Sequence, residues 1–175
     1  MSNAAGTALI VAVPEVEPAV AAHRLRLDPS AASGVPAHVT VLFPFMPAPL
    51  VDDVVLARLG ALFAGYSPFE ARFTRTSWFG EEVLWLAPDD PDPFRRLTSA
   101  VTDAFPDYPP YGGAYDGTTP HLTVGDRRPV EELRAAERAV ALALPVSARV
   151  ESVTLIGEVE ARRRWNRATT FPLQG

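Results

Sequence analysis

The sequence contains no cysteine and only three histidines in 175 residues. The absence of cysteine excludes disulfide bonds and thiolate metal sites, and it gives no indication of an oxidising compartment. The chain also lacks an excess of positive charge, because 16 basic residues against 21 acidic ones give a net charge of -5. That balance argues against tight binding of a long phosphate backbone, so we expect no long nucleic-acid duplex as a partner.

Long hydrophobic runs are missing as well. The segment of residues 8–13 is apolar but short, has no basic flank before it and is followed by Pro14 and Glu15. A membrane-spanning helix needs about 20 apolar residues, and a signal peptide begins with a basic region. We therefore expect a soluble, cytoplasmic protein with no membrane partner. We also expect it to be a monomer.

Hydrophobic residues make up 47% of the chain, which is enough for one compact domain with a buried core. Short β-branched or alternating runs predict strands, and apolar residues three to four positions apart predict helices. The predicted strands cover residues 7–13, 37–43, 69–74, 83–87, 121–124, 146–156 and 165–171. The predicted helices cover residues 17–27, 51–63, 92–105 and 130–142, and the arginines at 162–164 are interpreted as a solvated turn.

Two short motifs occupy equivalent places in the two halves of the chain. His38-Val39-Thr40-Val41 and His121-Leu122-Thr123-Val124 each lie on a predicted strand that is followed by a helix and two further strands. This duplication predicts a single bilobal domain over residues 1–175, with a first repeat at about 37–87 and a second at about 120–172. Each lobe is expected to be an antiparallel sheet with outer helices, so the fold class is α+β with a central cleft.

The spacing of each motif places its histidine and its threonine on one face of the strand. If the lobes face one another, two imidazoles and two hydroxyls line one cleft. An imidazole has an ordinary pKa of about 6.5, so one ring can take a proton from water while the other protonates the leaving oxygen. The threonine hydroxyls can donate hydrogen bonds to non-bridging phosphate oxygens. The pattern therefore indicates phosphoester cleavage without a metal or another cofactor.

Both motifs resemble those of the 2H phosphoesterases, and in particular of the 2′-5′ RNA ligase-like proteins. The resemblance includes Pro44-Phe45 after the first motif and the Tyr-Pro-Pro-Tyr-Gly-Gly loop that begins at Tyr108, and it covers essentially the whole chain. One departure follows the second motif, where some members have a basic residue but this chain has Gly125 and Asp126 before Arg127.

The resemblance implies the bilobal duplicated fold and a metal-independent phosphoesterase. It implies catalytic roles for His38 and His121 and phosphate binding by Thr40 and Thr123. The implied substrates are 2′,3′-cyclic or related small phosphodiesters, so the expected partner is a small nucleotide or an RNA terminus with a cyclic phosphate.

Three alternatives stay open at this point. Either motif by itself is compatible with a structural histidine, although the pattern shared by two of the three histidines favours a site. A non-catalytic nucleotide- or RNA-end-binding module would use the same cleft. A metal hydrolase would need a third ligand, and Asp126 has no counterpart in the first half. His23 has no threonine partner and is interpreted as a surface or boundary residue.

Aromatic residues near the motifs are candidate substrate contacts. Phe43 follows the first motif, and Tyr111 and Tyr115 lie in a long loop, residues 106–120, that is dense in proline and glycine. Loops of that length are usually functional, and aromatic rings can stack on an unpaired base. The alternative is that these rings pack the loop onto the body of the protein. The three tryptophans, Trp78, Trp85 and Trp165, are expected in the core or at its boundary.

Overall fold

The computed structural model describes residues 6–159 and 164–175, which form two antiparallel sheets with helices around them. The strands are β1 (Thr7–Ala12), β2 (His38–Leu42), β3 (Phe69–Phe79), β4 (Val83–Pro88), β5 (Leu122–Asp126), β6 (Val146–Val150), β7 (Ser152–Val159) and β8 (Arg164–Pro172). The helices are α1 (Glu17–Leu27), α2 (Pro29–Ala32), α3 (Asp53–Ala64), α4 (Asp92–Ala104) and α5 (Val130–Ala141). None of the helices within these ranges is long and apolar enough to cross a membrane. Residues 162 and 163, part of the predicted turn, lie outside the described residues.

The two motif strands are edge strands of different sheets. The first sheet has the order β2-β1-β7-β8 and the second has the order β5-β4-β3-β6, with antiparallel neighbours throughout. The edge strands β2 and β5 approach one another, and α1 packs on β5. The predicted α+β fold with two antiparallel sheets and outer helices is therefore confirmed.

The prediction of one strand over residues 146–156 is wrong. This segment forms β6, which pairs with β3 in the second sheet, and β7, which pairs with β1 in the first. Ala148 and Val150 are buried in β6, whereas Val153 and Leu155 are buried in β7. The positions that face the main core change from even to odd numbers across Glu151, because the chain leaves one sheet there and joins the other.

Neither sheet is built from a single predicted repeat. Residues 37–87 supply β2 to the first sheet but β3 and β4 to the second. Residues 120–172 supply β5 and β6 to the second sheet but β7 and β8 to the first. The bounds of the repeats stay a prediction, and the lobes contain strands from both halves of the chain.

Strand β1 is buried on both faces, which explains its continuous apolar sequence. Leu9 and Val11 belong to the main core between the sheets and the helices. Ala8 and Ile10 point to the opposite face, where they form a small apolar cluster with Val35, Ile156 and the partly buried Trp165. This second cluster forms part of the floor of the cleft described next.

Candidate active site

Each motif strand presents alternate residues to the core and to a cleft. Val39 and Val41 are buried while His38 and Thr40 are half-buried, as the period of a strand requires. The second motif shows the same alternation around His121, which immediately precedes β5. The neighbouring strands extend these faces, because Thr40 lies opposite Ile10 on β1 and Thr123 lies opposite Trp85 on β4.

The four predicted motif residues come together in one cleft. A cavity of about 360 Å³ is lined by His38, Thr40, His121 and Thr123. Its other lining residues include Asp28, Ser30, Phe43, Tyr111, Asp126 and Trp165. The volume lies in the range of small-ligand sites, roughly 300–1,000 Å³. The cleft therefore has room for a nucleotide-sized group.

Both histidine rings are held in the same way. The Nδ1 atom of His38 lies 2.7 Å from the carbonyl oxygen of Pro36, and Nδ1 of His121 lies 2.7 Å from that of Thr119. A carbonyl oxygen can only accept a hydrogen bond, so each Nδ1 carries the proton. The second nitrogen, Nε2, is left as the proton acceptor of the neutral ring and the proton donor of the charged one.

The surroundings favour the neutral form of both rings. Burial lowers the pKa of His38 from its ordinary 6.5 to about 4, and the positive charge of Arg24 acts in the same direction, against the hydrogen bond to Pro36. Burial also lowers the pKa of His121, against the bond to Thr119. A phosphate anion between the rings would act in the opposite sense, since a nearby negative charge stabilises an imidazolium.

Contacts from distant elements hold the first motif in place. The carboxylate of Glu17, on α1, accepts a hydrogen bond of 2.6 Å from the amide of Ala37. The carbonyl oxygen of Ala37 accepts another of 2.8 Å from Val13. From α4, the hydroxyl of Thr98 donates to the carbonyl oxygen of Val41 at 2.8 Å. Sequence reasoning missed these supports because their partners are far apart in the chain.

Aromatic rings from the β3–β4 hairpin enclose one side of the second histidine. The ring of Phe79 meets the His121 ring edge-on at 5.0 Å, and the ring of Trp85 does so at 5.8 Å. Phe79 and Trp85 stack on each other at 4.7 Å. Trp85 is buried, as the sequence predicts for it, whereas the role of Phe79 beside a histidine was not predicted.

The predicted substrate-contacting residues occupy different places. Phe43 and Tyr111 line the cleft, and the amide of Tyr111 donates a hydrogen bond of 2.7 Å to the carbonyl oxygen of Phe43. Tyr115 is exposed and is not among the lining residues; its ring packs edge-on against Tyr111 at 5.6 Å. Trp165 was assigned to packing, and it both lines the cleft and packs edge-on against Phe43 at 6.1 Å.

The sequence profile of the 2′-5′ RNA ligase superfamily matches residues 12–162, which is most of the chain. This chain belongs to the 2′-5′ RNA ligase superfamily. The resemblance to the 2H phosphoesterases that the motifs carry is thereby confirmed.

Solved structures share the fold of this superfamily member over nearly its whole length. E. coli LigT complexed with NADP+ has 18% sequence identity and a TM-score of 0.59, covering 99% of this chain and 100% of LigT. TT0787 of Thermus thermophilus has 21% identity and a TM-score of 0.64, covering 97% of this chain and 98% of TT0787. A protein described as a phosphoesterase has 19% identity and a TM-score of 0.59, covering 98% of this chain and 99% of that protein. No curated protein matches the sequence.

The departure after the second motif places a carboxylate in the cleft of this superfamily member. An irregularity in the β4–β5 pairing inserts one extra residue between Thr123 and Gly125. As a result, Asp126 faces the cleft and is one of its lining residues. Arg127 is exposed, with its Nε 3.8 Å from Asp126 Oδ1. Within residues 6–159 and 164–175, no three histidine or acidic side chains converge as a metal-binding group.

Proposed function

We propose that this protein is a phosphoesterase that cleaves 2′,3′-cyclic or related small phosphodiesters, including those at RNA ends, by acid–base catalysis with His38 and His121. One observation carries the proposal. Two imidazoles, each with Nδ1 bonded to the carbonyl two residues earlier, line the same cleft beside the threonine of their own motif.

The proposed reaction needs two proton transfers at one phosphorus atom. The Nε2 atom of the neutral ring takes a proton from water while the water oxygen bonds to phosphorus. The Nε2–H of the charged ring gives its proton to the ribose oxygen as the P–O bond to that oxygen breaks. Each positioned transfer is typically worth about 10² to 10⁴ in rate. The Nδ1 bonds to carbonyl oxygens support the proposal because they orient both rings and stabilise the charged form.

The hydroxyls of Thr40 and Thr123 are proposed to donate hydrogen bonds to the non-bridging phosphate oxygens. Such donors stabilise the charge that those oxygens carry in the transition state. The bound anion also raises the pKa of the two rings, which allows one of them to be protonated near neutral pH. No step requires a metal or a further cofactor.

A small nucleotide is the proposed partner. The aromatic side chains of Phe43, Tyr111 and Trp165 line the same cleft as the motif threonines, so a base and a phosphate can be held together. The related fold of LigT has been solved in complexes with ATP, NADP+ and 3′-AMP, which are all nucleotides. The expectation of a cytoplasmic monomer belongs to the same proposal and rests on the sequence.

The deciding experiment follows 2′,3′-cyclic nucleotides by phosphorus NMR in the presence of a chelator. We expect the wild type to open the ring, and we expect His38→Ala and His121→Ala each to reduce kcat by about 10² to 10⁴. His23→Ala is the matched control, because His23 lies on α1 and is not among the residues that line the cleft. Wild-type turnover by either motif variant would remove that histidine from the mechanism.

A second candidate is a module that binds nucleotides or RNA ends without turnover. It is favoured by the lowered pKa of His38 and His121, which favours the neutral form of both rings in the free protein. Saturable binding of a 2′,3′-cyclic nucleotide with no change in its phosphorus spectrum would establish this module in place of the enzyme. Loss of turnover on chelation, with recovery on zinc addition, would instead indicate a metal hydrolase.

A further inference from the structure

A buried arginine outside the cleft lining contacts both motif segments. Arg24, on α1, is 2% exposed, and its guanidinium has several partners. Its Nε donates to the carbonyl oxygen of Thr123 at 3.1 Å, and its Nη1 donates to the carbonyl oxygen of Val35 at 3.3 Å. Thr123 belongs to the second motif, while Val35 directly precedes Pro36, whose carbonyl holds the His38 ring. One rigid group therefore bonds to the backbone beside both histidines.

A carboxylate fixes the orientation of this guanidinium. Asp28 Oδ2 accepts from Arg24 Nη2 at 2.8 Å and from Nε at 3.1 Å, and the pair is almost completely buried. Asp28 Oδ1 accepts from the amide of Ser30 at 2.9 Å, which caps the short helix α2. Ser30 Oγ also accepts from Nη2 at 3.3 Å. These bonds hold the planar guanidinium group of Arg24 in one orientation.

A buried ion pair is a poor source of net stability, because apolar residues of similar size often serve equally well. Its distinctive property is a fixed, directional arrangement of donors. Here the donors reach Thr123 on β5 and Val35 in the loop before β2, and these two strands belong to different sheets. The positive charge also lies close enough to contribute to the lowered pKa of His38.

We propose that Arg24 is a positioning residue that sets the separation of the two motifs, and that Asp28 fixes the orientation of its guanidinium group. The inference rests on the proposed function, since the separation matters when both rings act on one phosphate. Misplacement of reacting groups by about 1 Å can cost about 100-fold in rate. The expected signature is therefore a loss of kcat with little change in KM.

The test compares three variants with the wild type. Arg24→Lys keeps the charge but cannot bond to both carbonyls and to Asp28 in one plane. The double variant Arg24→Met/Asp28→Leu replaces the whole ion pair by apolar side chains. Arg26→Lys is the matched control, because Arg26 is an exposed arginine two residues further along the same helix. Each protein is measured for thermal unfolding, for kcat and KM with a 2′,3′-cyclic nucleotide, and for the nitrogen NMR signals of its histidine rings.

We expect Arg24→Lys to shift the ring signals of both His38 and His121 and to reduce kcat by about 10- to 100-fold, with KM within about threefold. The double variant should unfold cooperatively and keep the low kcat, and Arg26→Lys should match the wild type. Unchanged ring signals together with wild-type kcat in the folded Arg24→Lys protein would overturn the inference, whatever its melting temperature. If the double variant does not fold, Arg24→Lys decides alone.

The same data separate this inference from the proposed function. A wild type that leaves the nucleotide intact contradicts the phosphoesterase, yet the ring signals still report whether Arg24 positions both motifs. Signals that move at one histidine only would overturn the coupling of the two motifs.

Discussion

In the proposed mechanism, the histidine and the threonine of each motif have separate tasks, because their polar atoms differ. An imidazole accepts or donates a proton at Nε2 once Nδ1 is tied to a carbonyl, whereas a hydroxyl with an ordinary pKa far above neutrality acts only through hydrogen bonds. Because the two side chains share one face of the strand, we propose that both act on the same phosphate. This division predicts different sizes of effect for the two residue types.

We expect Thr40→Val and Thr123→Val each to reduce kcat/KM by about 10- to 100-fold, the value of a hydrogen bond to a charged group. Valine has the shape of threonine without the hydroxyl, so the fold should be retained. Steady-state kinetics with a 2′,3′-cyclic nucleotide checks this. Thr102→Val is the control, because Thr102 lies on α4 and donates to Thr98. Equal losses in the control would show that the effect is structural.

Protonation of the half-buried His38 should destabilise the fold. Its pKa is lowered by burial from 6.5 to about 4. Between those pH values the unfolded chain binds more protons than the folded one, so the free energy of unfolding decreases as the pH falls through this window. Urea unfolding at several pH values between 7 and 4 measures the slope. In His38→Gln the slope should be smaller, and an unchanged slope would contradict the assignment to this ring.

At the scale of single elements, β5 repeats the irregular pairing of β2, since one extra residue lies between Thr40 and Leu42 in β2 and between Thr123 and Gly125 in β5. The extra residue in β5 lets both Val124 and Gly125 face away from the cleft, so that Asp126 returns to it. Gly125 sits directly against Leu133 of α5 and Leu27 of α1. The close packing of two helices on this strand explains why the position has no side chain.

Gly125→Ala should therefore destabilise the protein by about 1–3 kcal/mol, the typical cost of overpacking. A Cβ atom at this position would lie 3.0 Å from Leu27 Cβ and closer still to Leu133. Gly60→Ala is the opposite case, because a Cβ on this helix position meets only Phe171 at 3.8 Å. Alanine there should stabilise α3 by about 0.5–1 kcal/mol. Urea unfolding of both variants checks the signs, and a stable Gly125→Ala would refute the packing argument.

At the scale of the whole molecule, the two halves of the chain depend on each other. The first sheet combines β1 and β2 with β7 and β8, and the second combines β3 with β4, β5 and β6. A cut in the β3–β4 turn leaves each half without strands that cover its core. The cleft also combines the two halves, since His38 begins β2 of the first sheet and His121 immediately precedes β5 of the second.

We expect the fragments of residues 1–80 and 81–175 to be unfolded when each is expressed alone. Each would expose the apolar faces that the other half covers, and too little surface would be buried to offset the loss of chain entropy. Far-UV circular dichroism with thermal unfolding checks this against the intact chain. A cooperative transition in either isolated fragment would show that a half is an independent folding unit.

Local patterns carried much of the information needed to predict this protein. Alternation of apolar and polar residues located most strands, and the paired motifs identified the four cleft residues and the superfamily. The strand at residues 146–156 was misjudged because two consecutive strands each show the same period, and only a change of phase at Glu151 separates them.

The sequence alone determined where most strands and helices form, because the spacing of apolar residues that predicts them involves only near neighbours in the chain. Only the tertiary structure decided which strands share a sheet, that Trp165 packs against Phe43, and that Arg24 bonds to Thr123, 99 positions away. Contacts between residues so far apart in the chain depend on how the whole chain packs. Neither the periodicity nor the composition of the sequence predicts which distant residues will meet.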